Sequence, residues 1–345
     1  MNTSVIKTTD PTKAATAGAA IVRTGGLVAF PTETVYGLGA NGLDGAAVDR
    51  IFEAKGRPND NPLILHVAEK ADAFRLWASE PPFARVLMDT FWPGPLTLIY
   101  YRSHIVPNEV TAGLDTVAVR MPDNEAARAL IAASGVPIAA PSANLSGKPS
   151  PTTAEHVLQD MDGRIPLILD GGPCRYGVES TVLSLVGTPT ILRPGAVTKE
   201  MLAAVLGEVA LAPSILKPLG AGEIAASPGM KYRHYAPNAQ VLVVVGEPEA
   251  AASRLSALYD EFSAQKKRPC IAATAEALSC YGDRRCALLG TRQDPTTLCS
   301  RLFSLLRELD EEADVILAEG VSTEGTGLAF MNRLLRSAGF RVEYL

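Results

Sequence analysis

The 345-residue sequence lacks the features that mark membrane and secreted proteins. It has no apolar run near the roughly 18 residues that a membrane span needs, and its first residues carry no apolar core behind a basic start. Its five cysteines are odd in number and show no CxxC spacing, which argues against a disulfide framework and against a zinc knuckle. We therefore expect a cytoplasmic protein without a membrane anchor.

A strong excess of charge is also missing. The net charge is −5, and the chain carries 32 basic and 37 acidic side chains. A protein whose main role is to coat nucleic acid has a strongly basic balance, so this composition counts against that class, although it does not exclude a local basic cleft.

Several catalytic signatures are absent as well. The region after residue 238 has no GxGxxG behind its first strand and no GxxxxGK[ST], and the chain has no GxSxG. The four histidines show no metal-ligand spacing, and no close carboxylate pair suggests glycosidase chemistry. Any active site must therefore be sought in other polar clusters.

The pattern of strands and helices predicts two α/β domains. From residue 20 to about 200, short β-rich runs alternate with helical patterns, but too many strands follow one another for a strictly parallel sheet. The expected helices include one from Phe74 to Met88, one capped by Asp123 and one that begins with a capping box at Thr152. We assign residues 1–207 to a domain with a twisted mixed sheet, 208–238 to a linker, and 239–345 to a small, Rossmann-like doubly wound domain.

Four clusters in the first domain contain residue types that packing does not require. They are FPTETVYGLG (30–39), EAKGRPNDNPLILH (53–66), APSANLSGKPSPTT (140–153) and GVESTVLSL with ILRPG (177–195). Each cluster alone is compatible with a solvated turn. Together they place polar loops and a few cations at the ends of apolar strands, which is where α/β folds bind polyanionic ligands.

The KxR pair Lys55 and Arg57, followed by the SxN pair Ser142 and Asn144, resembles the signature of the YrdC-like family. PTETVYGLG, RPNDNPL, FWPGPLT, VAVRMP, PSANLSG, ESTV and LRPG also match the family pattern in order, over nearly all of residues 15–200. The linker motif SPGMKYRHYAP and the following α/β domain are similar to the long, two-domain form of the threonylcarbamoyl-AMP synthases.

This resemblance implies a nucleotidyltransferase that joins L-threonine, bicarbonate and ATP into threonylcarbamoyl-adenylate and releases pyrophosphate. It implies Mg²⁺ bound through ATP, with no direct protein ligand. The adenylate would pass to a separate tRNA threonylcarbamoyl transferase, which modifies the adenosine beside the anticodon. A weak contact of this chain with tRNA is left open.

The resemblance also assigns roles to individual residues. The catalytic set is Lys55, Arg57, Ser142 and Asn144. The nucleotide would lie among Arg57, Asn61, Thr116, Ser142, Asn144, Ser150, Arg193 and Tyr232, and threonine would be held by Thr34, His66, Arg120, Ser180 and the backbone near Ala140. Arg120 is expected to pair with the threonine carboxylate.

A carbamate formed on the threonine amine can attack the α-phosphate of ATP without a protein nucleophile, so catalysis would consist mainly of positioning and charge neutralisation. Lys55 and Arg57, which we expect at the rim of a cleft, would hold the phosphates. Tyr232 would belong to a lid that excludes water from the labile anhydride, and the second domain would position that lid. The alternatives are a carbamoyl-transfer domain like those of hydrogenase maturation proteins, which the lack of CxxC pairs disfavours, and an RNA-binding module.

Overall fold

The computed structural model describes residues 2–217 and 235–345. These residues form two compact units, one built mainly from residues 2–215 and the other mainly from residues 235–345. They are called the N-terminal and the C-terminal unit. The domain boundaries that we placed at 207 and 239 stay a prediction.

The N-terminal unit contains eleven strands in one sheet and eight α-helices. The strands are β1 (Ser4–Lys7), β2 (Val28–Phe30), β3 (Gly37–Asn41), β4 (Ile64–His66), β5 (Leu96–Tyr101), β6 (Thr116–Arg120), β7 (Ile138–Ala140), β8 (Leu167–Asp170), β9 (Thr181–Ser184), β10 (Thr190–Arg193) and β11 (Ala210–Leu211). The helices are α1 (Pro11–Arg23), α2 (Gly45–Lys55), α3 (Lys70–Leu76), α4 (Ala84–Phe91), α5 (Asn108–Thr111), α6 (Glu125–Ser134), α7 (Ala154–Met161) and α8 (Lys199–Leu206).

The sheet has the strand order β1-β8-β2-β3-β7-β4-β6-β5-β9-β10-β11. Pairs such as β4–β6 and β5–β9 are parallel, whereas β2–β3, β4–β7 and β5–β6 are antiparallel. The predicted mixed sheet is therefore confirmed.

Helix boundaries follow local capping chemistry. Asp44 caps α2 by accepting hydrogen bonds from two backbone N–H groups of the first turn, and Gly56 ends the helix at φ 61°, a left-handed conformation that glycine adopts at low cost. Two predicted caps were displaced by one residue: Asn124, not Asp123, caps α6, and Thr153, not Thr152, caps α7. Asp123 and Thr152 also carry side-chain oxygens that suit a helix cap, so residue type alone does not identify which residue caps the helix.

The single helix predicted from Phe74 to Met88 was wrong. The structure has α3 and α4 instead, separated by the segment 77–83. Pro81 and Pro82 lie in that segment, and proline inside a helix removes a backbone donor and clashes with the preceding turn. The helical spacing of apolar residues continues across this segment, but the two prolines prevent a continuous helix.

The core of the N-terminal unit lies between the sheet and the pair α1 and α6. Val22 of α1, Leu130 of α6 and Leu169 of β8 are among the fully buried residues of this cluster. A Cβ built on Gly18 of α1 would lie 2.6 Å from Leu130 Cδ1, so the two helices approach more closely there than an alanine permits. This packing fixes one side of the sheet.

Another small apolar cluster joins the central strands. It consists of Ile64, Ile99, Ala118 and Val182, with Leu192 packed against it. The β4–β6 register pairs Ile64 with Ala118 and His66 with Arg120. Because alternate residues of a strand share a face, His66 and Arg120 lie on the same face as this cluster, at one end of it.

The C-terminal unit is a parallel sheet with helices. Its elements are β12 (Gln240–Val245), α9 (Pro248–Ala264), β13 (Pro269–Thr274), β14 (Cys286–Gly290), α10 (Pro295–Glu312), β15 (Val315–Glu319), α11 (Gly327–Ser337) and β16 (Val342–Tyr344), with strand order β14-β13-β15-β12-β16. All its strand pairs are parallel. Leu255 of α9 packs with Ile271 and Leu317, and the alternate residues Cys270 and Ile316 are buried too, so both faces are covered. The predicted doubly wound domain is confirmed.

Among the helices that the structure describes, none combines the length and the hydropathy that a transmembrane segment requires.

Candidate active site

Lys55 lies at the centre of a cluster that joins two distant parts of the sequence. It is the last residue of α2, and it is only 4% exposed. Its Nζ donates hydrogen bonds of 2.5 Å to the backbone carbonyls of Ser142 and Asn144. The Ser142 hydroxyl in turn donates to Asn144 Oδ1 at 2.5 Å. We call Lys55, Ser142 and Asn144 the lysine cluster; it brings three of the four signature residues together.

Backbone hydrogen bonds hold the loop of the lysine cluster in place. Gly37 and Ser142 form an isolated antiparallel bridge, and Ala143 N donates to Tyr36 O at 2.9 Å. Ser146 N donates to Lys55 O at 3.0 Å. The loop is therefore fixed to the PTETVYGLG segment on one side and to the end of α2 on the other.

Burial of Lys55 corrects our expectation that both cations of the KxR pair lie at the rim of a cleft. Of the two cations, only Arg57 is partly exposed, and it follows the end of α2. Its guanidinium lies 5.5 Å from the ring centroid of Phe52, and its Nη2 donates to the carbonyl of Asn61 at 3.1 Å. Asn61 is fully buried. Arg57 is thus held by Phe52, which precedes the turn, and by Asn61, which follows it.

A buried ion pair lies at the end of β6. Arg120 Nη2 is 2.6 Å from Glu33 Oε1, and both side chains are 4% exposed. Arg120 Nη1 donates to Thr34 Oγ1 at 2.9 Å, and its Nε donates to Gly94 O at 3.2 Å. Together with His66, the in-register neighbour of Arg120, these residues are called the arginine pocket: Glu33, Thr34, His66 and Arg120.

His66 is an uncharged member of this pocket. Burial, and secondly the positive charge of Arg120, lowers the pKa of His66 to about 3, so its imidazole is neutral near pH 7. The nearby thiol of Cys174 is neutral too, because burial raises its pKa to about 12. The charges that remain in the pocket are those of Glu33 and Arg120.

Ser180 and Arg193 form another cluster with a residue that we did not predict. The Arg193 guanidinium donates to the carbonyl and to the hydroxyl oxygen of Ser180, at 3.1 and 3.2 Å. The Ser180 hydroxyl is 2.7 Å from that of Thr97, on β5. The sequence assigned Ser180 to threonine and Arg193 to the nucleotide, and the structure shows that these two side chains are in contact.

The remaining predicted residues lie around these clusters. Ser150 is buried and donates to Glu179 Oε1 at 2.5 Å. Ala140 ends β7 beside Ile64. Thr116 begins β6, four residues before Arg120, which corresponds to about 13 Å along the strand. Tyr232 lies outside the described residues, and its role stays a prediction.

Sequence reasoning did not assign roles to Glu33, Thr97 or Glu179. All three are buried polar residues that contact predicted site residues. Each belongs to a motif that we quoted, PTETVYGLG, FWPGPLT or ESTV. An acidic residue at the end of an apolar strand was the available signal for Glu33.

These clusters bring buried cations, hydroxyls and amides together, with few carboxylates. Within residues 2–217 and 235–345, no group of three or more His, Cys, Asp or Glu side chains is placed to hold a metal ion. The donor set favours an anionic ligand with hydrogen-bonding groups. Fold and site therefore define an α/β protein in which one mixed sheet and its loops gather hydrogen-bond donors suited to an anionic ligand.

Comparison with known proteins identifies the family. Residues 20–195 match the model of the Sua5/YciO/YrdC family, which is described as "Telomere recombination", and residues 197–339 match "Threonylcarbamoyl-AMP synthase, C-terminal domain". The chain belongs to the Sua5/YciO/YrdC family, in its two-domain form. The resemblance found in the sequence is confirmed.

Relatives match over almost the whole chain. The threonylcarbamoyl-AMP synthase of Pyrococcus abyssi is 48% identical over 94% of both chains, and that of Bacillus subtilis is 48% identical over 99% of this chain and 96% of its own. The crystal structure of P. abyssi Sua5 complexed with L-threonine is similar with a TM-score of 0.93 and 44% identity, and the match covers 100% of both chains. These relatives are enzymes, and we conclude that this chain is an enzyme as well.

Proposed function

We propose that this chain is a nucleotidyltransferase that forms threonylcarbamoyl-AMP from L-threonine, bicarbonate and ATP. The observation that carries the proposal is the meeting of Lys55 with the SxN loop, 87 residues downstream, in a chain similar throughout to a protein crystallised with L-threonine. A fixed loop that carries hydroxyl and amide groups beside buried cations suits a reaction that needs positioning more than a nucleophile.

In the reaction, the threonine ammonium loses a proton to solvent, the free amine condenses with bicarbonate to a carbamate and water, and a carbamate oxygen attacks the α-phosphorus of ATP. A new P–O bond forms, the bond to the β-phosphate breaks, and pyrophosphate leaves with its electron pair. Arg57 would bind the phosphate chain and stabilise the charge that develops on the leaving group. Lys55 would contribute a fixed positive charge beneath the SxN loop and would keep Ser142 and Asn144 in place.

The two substrates would occupy adjacent positions. L-Threonine would bind at the arginine pocket and at Ser180, close to the end of β7. The nucleotide would extend from Arg193 and the lysine cluster toward Asn61, Thr116 and Ser150. Arg193 and Ser180 would then mark the junction where the carbamate meets the α-phosphate.

Mg²⁺ would accompany ATP. The lysine cluster offers hydroxyl and amide oxygens rather than a group of carboxylates, which fits an ion that keeps most of its contacts with phosphate oxygens and water. When bound, the ion supplies charge neutralisation on the phosphates. Lys55 and Arg57 supply the protein's share of that neutralisation.

The adenylate is a reactive mixed anhydride, and we propose that a separate transferase uses it to modify the adenosine beside the anticodon of tRNA. The net charge of −5 gives no support to extensive RNA binding by this chain. A cytoplasmic location fits both the small-molecule substrates and the tRNA.

The proposal is tested by pyrophosphate release in the presence of ATP, Mg²⁺, L-threonine and bicarbonate, with each component omitted in turn. We expect release only with the complete mixture, and mass spectrometry should detect threonylcarbamoyl-AMP. Release that does not depend on threonine would contradict the proposal. Substitution of Tyr232 by alanine should weaken ATP use, and unchanged kinetics would remove the predicted lid contact.

A further inference from the structure

Glu33 is buried and carries a polar atom that the protein does not use. The residue is 5% exposed, and its Oε1 lies 2.6 Å from Arg120 Nη2. Its other oxygen, Oε2, is buried without a hydrogen-bond partner. A buried carboxylate oxygen left without a donor is costly, so such an atom needs an explanation beyond packing.

Arg120 also has unused hydrogen-bonding capacity. A guanidinium has five N–H donors. Those of Arg120 reach Gly94 O, Thr34 Oγ1 and the Glu33 carboxylate, which leaves two N–H groups without a protein acceptor. The ion pair is thus incomplete on both sides: a carboxylate oxygen lacks a donor, and a guanidinium lacks acceptors.

The charges of the pocket match a zwitterion. Glu33 contributes one negative and Arg120 one positive charge, while His66 and Cys174 are neutral near pH 7. A ligand with a single net charge would leave an uncompensated charge in this buried site. The ammonium and carboxylate groups of an α-amino acid are attached to the same carbon, so both reach a pair of side chains that are themselves in contact.

We propose that Glu33 is a binding residue for the amino-acid substrate: its carboxylate accepts hydrogen bonds from the substrate ammonium while the adjacent Arg120 binds the substrate carboxylate. This inference rests on the proposed function and deepens it. It makes Glu33 the residue that separates amino acids from hydroxy and carboxylic acids of the same shape. A ligand without the amino group leaves Oε2 as poorly paired as before.

The test compares the binding of L-threonine with that of 3-hydroxybutyrate, which is threonine without its amino group, by isothermal titration calorimetry. In wild-type protein, we expect threonine to bind at least about tenfold more tightly than 3-hydroxybutyrate. In Glu33→Gln, which keeps the size of the side chain but removes its charge, threonine affinity should fall about tenfold or more and the preference should largely disappear. Glu33→Asp keeps the charge and should retain part of the preference.

A matched control separates binding from structural damage. Glu319 of the C-terminal unit is also buried and paired with an arginine, Arg292, at 3.0 Å. Glu319→Gln should leave threonine affinity and the KM for ATP within about twofold of wild type. Glu33→Gln should likewise leave the KM for ATP within about twofold, because Glu33 does not touch the lysine cluster.

Two failures are distinguishable. If wild-type protein releases no pyrophosphate and binds no threonine, the proposed function itself is wrong. If the wild type is active but folded Glu33→Gln retains the wild-type preference for threonine over 3-hydroxybutyrate, the role of Glu33 is wrong. An equal rise in the threonine and ATP constants with a lowered melting temperature would also overturn it, since it would indicate structural damage only.

Discussion

Each unit of this protein buries a glutamate beside an arginine, but the two pairs differ in how completely they are hydrogen-bonded. In the C-terminal unit, Glu319 Oε1 accepts from Tyr281 at 2.6 Å, and Oε2 accepts from Thr274 at 2.7 Å and from Arg292 at 3.0 Å. In the N-terminal unit, Glu33 Oε2 has no partner. The carboxylate of Glu319 is fully paired within the protein, and that of Glu33 is not.

The difference teaches how to separate a structural buried charge from a functional one. Tyr281 stays a neutral donor in the Glu319 network, since burial, together with the hydrogen bond to Glu319, raises the pKa of its hydroxyl far above the ordinary value. Both oxygens of Glu319 accept hydrogen bonds, so this carboxylate offers a ligand no unused acceptor. The Glu33 pair keeps unused donors and acceptors, as a preformed binding site does.

The largest expected effect concerns the cations of the N-terminal unit. Lys55→Met or Arg57→Ala should reduce the rate of pyrophosphate release by about 100-fold or more, because each removes a fixed positive charge near the phosphates. Lys55→Met should also lower stability, since Lys55 is buried and its donors hold the SxN loop, whereas Arg57→Ala should lower stability little. Arg50→Ala, an exposed cation of α2, is the control; full activity in either site variant would contradict the assignment.

Substitution of Glu319, whose carboxylate is fully hydrogen-bonded, should reduce stability rather than activity. We expect Glu319→Gln to cost about 2 kcal/mol of stability, because three hydrogen bonds to a buried charge are weakened. Both tryptophans, Trp77 and Trp92, belong to the N-terminal unit, so urea unfolding followed by far-UV circular dichroism should show the loss more than tryptophan fluorescence does. A large loss of activity in the folded variant would mean that the C-terminal unit has a direct role in the chemistry.

His66 makes the stability of the N-terminal unit depend on pH, and a single substitution can isolate this contribution. Because burial lowers its pKa to about 3, the unfolded chain binds a proton near pH 6.5 that the folded chain does not. Its contribution to stability is therefore complete above about pH 6.5 and declines as the pH falls toward 3, on the order of 2 kcal/mol at pH 5.

Urea unfolding at pH 7 and pH 5, followed by tryptophan fluorescence, measures this decline. The variant His66→Gln should show a smaller decline, whereas the exposed His104 changed to Gln should behave as the wild type does. Equal declines in all three proteins would show that His66 does not cause the effect.

The smallest expected effect concerns a single hydroxyl. Ser142→Ala removes the hydrogen bond to Asn144 Oδ1 but leaves the backbone contacts of the loop, so pyrophosphate release should fall about tenfold. Ser146→Ala, at an exposed position in the same loop, should change it less than twofold. If the two substitutions change the rate equally, the loop acts through its backbone and not through the Ser142 hydroxyl.

Some of this organisation was predictable from the sequence and some was not. The clusters of turn residues with cations, and the end of α2 at Gly56, follow from local chemistry that the sequence displays. Burial of Lys55 does not, since it depends on carbonyl oxygens 87 and 89 residues away. The partnership of Glu33 with Arg120 likewise depends on distant parts of the chain, since three strands lie between β2 and β6 in the sheet. Pro81 and Pro82, which separate α3 from α4, are evident in the sequence. Our prediction nevertheless gave more weight to the helical spacing of the apolar residues.

The backbone contacts of the SxN loop have a consequence for hydrogen exchange. Leu38 N donates to Pro141 O at 2.8 Å, and the amides of Ala143 and Ser146 are bonded to Tyr36 O and Lys55 O. Amide protons of a connecting loop usually exchange quickly, but these should exchange at rates close to those of the neighbouring strands. The loop that carries Ser142 and Asn144 would thus open only when the sheet beside it opens.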